Sequence, residues 1–194
     1  MKVATAILIL LFILGAAAQE STPRRKLLES KGANKTSTLF KEPVVLPTDD
    51  QKLEAYRLTV IPTFHGPLSL RVDNLGGKFR VIAKQLNGSG GYKIGGIRRV
   101  KIHGISSKQW AKLLELMKAT DFWNAPYREP KNIPSTDGSV EICLDGAEWT
   151  LEAVKNGQYH VINRYCPSDL SLRSVGLYLL ALSRLNVKSS NLYR

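Results

Sequence analysis

The chain has 194 residues, a formal charge of +12 and two cysteines, with 43% hydrophobic residues. That is enough chain for one domain with a sizeable core. The basic residues are spread along the chain, with no dense basic helix and no nucleic-acid-binding motif. Nucleic acid is therefore not the expected partner. Diffuse attraction to anionic lipid, cell-wall polymer or acidic glycan, or solubility alone, fits the charge.

Residues 1–18 read as a signal peptide. Lys2 gives the positive start, Ala4 to Leu14 the apolar run, and Ala16-Ala17-Ala18 the small-residue site, with cleavage after Ala18. The apolar run is shorter than the roughly 20 residues of a membrane span. No transmembrane helix is expected in the mature chain, and the location is periplasmic or secreted. Residues 19–53 are rich in Ser, Thr, Pro, Lys and Asp without a sustained period, and read as a disordered basic linker.

A single α+β domain is expected over 54–187. Tyr56, Leu58 and Val60 alternate with polar residues, as do Leu68, Leu70 and Val72, and then Phe79, Val81 and Ala83. Each is a half-buried strand. The glycine-rich stretch 87–96 follows, then a strand from Ile97 to Ile102 interrupted by Arg98, Arg99 and Lys101. Ser106 and Gln109 form a capping box for a helix carrying Trp110, Leu113, Leu114 and Met117. Residues 124–138 are a loop. Val140 to Tyr165 read as a three-strand meander. A last helix starts after Pro167, capped by Ser168 or Asp169, with Leu172, Val175, Leu179, Leu182 and Leu185 as its apolar stripe. The fold class is α+β, with antiparallel sheet(s) of about six to seven strands in meanders, covered by two amphipathic helices. Residues 188–194 are expected to be a frayed tail.

The meander sets registers. Asn156-Gly157 is a strong hairpin signal, which places Trp149 opposite Arg164, Leu151 opposite Ile162, Glu152 opposite Val161 and Ala153 opposite His160. Asp145-Gly146 as a second turn places Ile142 opposite Trp149 and Cys143 opposite Glu148. Trp149, His160 and Arg164 then share the apolar face, where Arg164 either stacks on the indole or covers a core Trp. Glu148 and Glu152 share the other face. Cys143 and Cys166 fall on opposite faces, so ideal registers argue against a disulfide. Cys166 stands at a strand end before Pro167, however, where alternation often breaks.

No residue set names a reaction. His65, His103 and His160 have no metal-ligand spacing, and no cofactor motif is present. Glu148 and Glu152 stand about 13 Å apart along one strand, too far for a glycosidase pair. A Cys–His pair using Cys143 or Cys166 with His160 has little support. The 87–96 loop can be read as a backbone anion cradle or as a flexible hairpin loop, with Tyr92 and Lys93 at its tip.

PTFHGPLSLRV, KQLNGSGGYKIG, DFW and LDGAEWTLEAVKNGQYHVINRYCP together resemble a group of exported bacterial proteins of uncharacterised function with an LDGxxW…GxYHxxxRxxP segment. The resemblance spans residues 56–185. It implies a Gram-negative periplasmic or secreted protein and carries over no activity, cofactor or catalytic residue. That group has Ser rather than Cys before the last Pro, which weighs against a role for Cys166.

Three functional readings remain from the sequence. The first is a non-enzymatic binding or accessory protein with a surface of His65, Arg71, Tyr92, Trp149, His160 and Arg164, meeting an anionic envelope component or a protein. The second is a hydrolase of envelope polymers using Glu148 or Glu152 with His160. The third is a secreted inhibitor that inserts the glycine-rich loop.

Overall fold

The computed structural model describes Thr36, residues 38–43, 53–128, Cys143 and residues 145–193. The expected signal peptide and most of the expected linker and of the expected 124–138 loop lie outside the described residues.

An open antiparallel sheet of six strands organises the domain. Its strands are β1 (Leu53–Pro62), β2 (Leu68–Leu75), β3 (Lys78–Leu86), β4 (Ile97–Gly104), β5 (Ala147–Lys155) and β6 (Gln158–Tyr165). The spatial order is β4-β3-β2-β1-β5-β6. Helix α1 (Ser107–Ala119) precedes β5, and α2 (Leu170–Ser183) follows β6. Further helical turns join these two expected helices, among them the 3₁₀ turn Ser189–Leu192.

The alternation read from sequence sorts the two sheet faces. Leu58, Val60, Leu70, Val72, Val81, Trp149, Leu151 and Ile162 point to one side and bury against Trp110, Leu113, Met117, Val175 and Leu179 of the helices. Their removal from water drives the fold. Tyr56 sits on the same face, its ring tilted against that of Trp110 with centroids 5.7 Å apart. Burial, reinforced by its hydrogen bond to Glu54, pushes its hydroxyl well above the ordinary tyrosine range. The Ser106–Gln109 capping box is formed, and Asp169 caps α2 through the Ser171 N–H.

The opposite face is polar, and it is also buried. Arg57 is inaccessible to solvent and donates Nε to Glu152 Oε2 at 2.8 Å. Its Nη2 lies 2.7 Å from the same oxygen, an ion pair without hydrogen-bond geometry. Asp73 is paired on both sides, with Arg71 and with Arg80. Residues 38–43 cover part of this face: Phe40 is fully buried. Glu42 accepts from Ser69 Oγ at 3.1 Å and lies 3.5 Å from Arg57 and 3.6 Å from Lys84. The reading of 19–53 as a disordered linker is corrected there. Single buried side chains anchor the segment, and these leave no periodic signature.

Three further expectations change. The neighbours of β5 are β1 and β6, so Trp149 faces Val60, and Glu148 faces Ile61, where Ile142 and Cys143 were expected. Local turn chemistry suggested a three-strand meander; the non-local β1–β5 pairing took its place. The chain end is not frayed at Leu192, which is fully buried and accepts a 2.7 Å hydrogen bond from the Trp149 indole N–H. Tyr193 stacks on the same indole, with ring centroids 5.5 Å apart. Cys143 and Cys166 form a disulfide, with Cα atoms 6.4 Å apart. Cys166 takes a left-handed backbone with φ 51°, so it leaves the strand alternation that argued against pairing. Gly146 lies beneath the bridge, where an added Cβ would collide with both sulfurs.

Candidate functional site

The six residues proposed as one surface divide among three places. Trp149, His160 and Arg164 share the helix-covered face, as the hairpin register requires, and all three are buried. His160 Nε2 lies 3.0 Å from the Ala125 carbonyl, and its ring meets Phe122 edge-on at 4.9 Å. Arg164 Nη1 donates to the carbonyls of Pro126 at 3.0 Å, Tyr127 at 3.1 Å and Asn163 at 2.9 Å. These side chains hold the 121–128 loop over the end of β6. Arg71 is buried on the polar face. Only His65 and Tyr92 reach the loop end between β3 and β4.

The hydrolase set is likewise dispersed. Glu152 is buried on the polar face, held by Arg57 and by the Tyr159 hydroxyl at 2.9 Å. Glu148 accepts from Asn163 Nδ2 at 2.9 Å. Both carboxylates lie across the sheet from His160. Among the described residues, no group of three or more His, Cys, Asp or Glu is placed to hold a metal ion.

The glycine-rich loop is internally bonded. Its amides at Asn87, Ser89, Gly90, Gly91 and Tyr92 donate to carbonyls of Gly96, Lys93, His65, Thr63 and Ser89 at 2.8 to 3.1 Å. Those N–H groups are therefore committed and do not form an anion cradle. The bonding fixes the loop against the β1–β2 turn and sets Tyr92 in a stack on Phe64, with centroids 6.0 Å apart. Tyr92 is 75% exposed and Phe64 47%.

Beside this loop end runs β4, the strand expected from Ile97 to Ile102 and interrupted by Arg98, Arg99 and Lys101. Every residue of it but His103 is exposed. Hydrophobic alternation does not say which strand ends a sheet. Ile102 is 62% exposed and Val100 46%. Arg98, Arg99 and Lys101 form no salt bridge among the described residues. Their surroundings add to the charge: from Asn74 to Leu114 the chain has nine Lys and Arg and no Asp or Glu. That run was open to reading in the sequence. Its weight appears only when β4 proves to be an edge strand.

At the opposite edge, β6 is covered at Asn163. The Asn163 N–H donates to Tyr127 O at 2.6 Å, and Arg128 forms a parallel bridge with Asn163. No protein-family model, curated protein or solved structure matches the chain. Among the described residues, the α+β fold presents an exposed aromatic pair beside a cationic sheet edge. No helix among the described residues is long and apolar enough to cross a membrane.

Proposed function

We propose that the protein is an exported, non-enzymatic binding or accessory protein that meets an anionic partner at the cell envelope through β4 and the adjoining loop end. One observation carries this reading. Of the groups that a hydrolase would use, Glu152 and His160 are buried and Glu148 is half-buried, and both carboxylates lie across the sheet from His160, whereas the cations of β4 are exposed without ion-pair partners among the described residues. Exposed charge of one sign steers oppositely charged partners. The Cys143–Cys166 disulfide supports export, since such bonds persist in oxidising compartments. The signal-like residues 1–18 and the resemblance to exported bacterial proteins support it as well.

The test is retention of the purified protein on isolated envelope fractions across a salt series. Wild type is expected to be retained at low salt and released as salt rises, because surface attraction is screened within about 10 Å at 0.1 M. The Arg98→Ser, Arg99→Ser, Lys101→Ser variant is expected to lose retention. Equal retention of the two proteins, or none for wild type, overturns the reading.

A further inference from the structure

We infer that β4 takes up an extended acidic polypeptide segment as an added strand of the sheet. This rests on the binding role proposed above and names the chemistry of the partner.

The outer edge of β4 is open to hydrogen bonding among the described residues. The Ile105 N–H donates to Phe79 O at 3.1 Å, which fixes the alternation of the β3–β4 ladder. Residues 99, 101 and 103 direct their amides and carbonyls at β3. Val100, Ile102 and Gly104 direct theirs away from it. Among the described residues these groups meet no other strand; such a row is a template for another strand, and strand addition draws its affinity from main-chain bonds and its specificity from alternate side chains.

The side chains of an added strand would meet a different surface on each face of the sheet. Val100 and Ile102 are register partners of Lys84 and Ile82 and share one face with them. Arg99 and Lys101 share the other face with their partners Gln85 and Ala83. A partner strand alternating apolar or β-branched residues with Asp or Glu matches both faces at once. Charge disfavours a second copy of this chain as the occupant. Antiparallel pairing of β4 with itself about Val100 or Lys101 sets Lys101 against Arg99 or against its own copy, and like charges across a strand pair are destabilising. The acid-free run from Asn74 to Leu114 offers nothing to offset this.

The experiment uses the processed, disulfide-bonded protein and a labelled decapeptide of alternating Thr and Glu. Fluorescence anisotropy gives the affinity, and amide hydrogen exchange gives the mode. The Thr-Glu peptide is expected to bind at least about tenfold more tightly than a Thr-Gln control, because opposite charge is the selective element. Binding is expected to slow exchange at Val100, Ile102 and Gly104, and to leave Lys101 and His103, already bonded to β3, unchanged. Ile102→Pro removes one outward donor while keeping every cation, and is expected to weaken the peptide at least about tenfold. The wild-type exchange pattern decides the matter even if that variant fails to fold.

Equal binding of Thr-Glu and Thr-Gln, or binding without new protection at the three outward amides, overturns strand addition. Charge-dependent retention on envelopes without peptide binding leaves the binding role standing and removes the peptide; a non-protein polyanion is then the partner. Absence of both retention and peptide binding removes the role itself.

Discussion

The two edges of the sheet differ in what the chain has done with them. At β6 the outward amide of Asn163 is bonded to Tyr127 O, the Arg164 guanidinium ties down the same loop, and the Cys143–Cys166 bridge lies just past the strand end. At β4 the outward groups of Val100, Ile102 and Gly104 meet no other strand among the described residues, and three cations stand in the open. Proteins commonly blunt an edge with charge, which blocks pairing between copies. A charged edge of one sign also discriminates: it repels its own kind and admits an oppositely charged strand. One edge is closed for stability, and the other is left available.

Substitutions should expose that contrast, with costs falling from the β5–β6 side towards β4. Glu152→Ala leaves Arg57 without its main buried counter-charge and should cost about 3 to 5 kcal/mol in a urea titration. A loss below about 1 kcal/mol would mean that the polar face is solvated rather than packed. Replacing both cysteines by Ser should cost about 3 kcal/mol, because the bridge closes a loop of 23 residues' separation; adding reductant to the wild type should reproduce that loss. Arg164→Ala removes the donor to three carbonyls and should cost about 2 kcal/mol, with faster exchange at the Asn163 amide as the loop loosens. Arg98→Ser, Arg99→Ser and Lys101→Ser together should stay within about 0.5 kcal/mol of wild type. A large loss there would give those cations a structural role and erase the contrast.

What the sequence disclosed follows from what is local. The Asn156-Gly157 hairpin occurs with the register its turn dictates, both turn residues having positive φ, 51° and 71°. The capping box at Ser106 and the apolar stripes of β1, β2 and β3 also formed as read, because each depends on residues a few positions apart. The misses share the opposite property. Phe40 and Glu42 are anchored by partners far along the chain, Trp149 finds its hydrogen-bond partner at Leu192, and β5 takes β1 as its neighbour. The candidate surface was misassembled for the same reason. Alternation correctly placed Trp149, His160 and Arg164 on one face, but it could not show that the 121–128 loop covers that face at His160 and Arg164.

Hydrogen exchange of the free protein tests the central contrast most directly. The account predicts that the Asn163 amide is protected on the β6 edge. Along β4 it predicts alternation, with fast exchange at Val100, Ile102 and Gly104 and slow exchange at Lys101 and His103. Uniform protection along β4, or an Asn163 amide that exchanges as fast as Ile102, would contradict it.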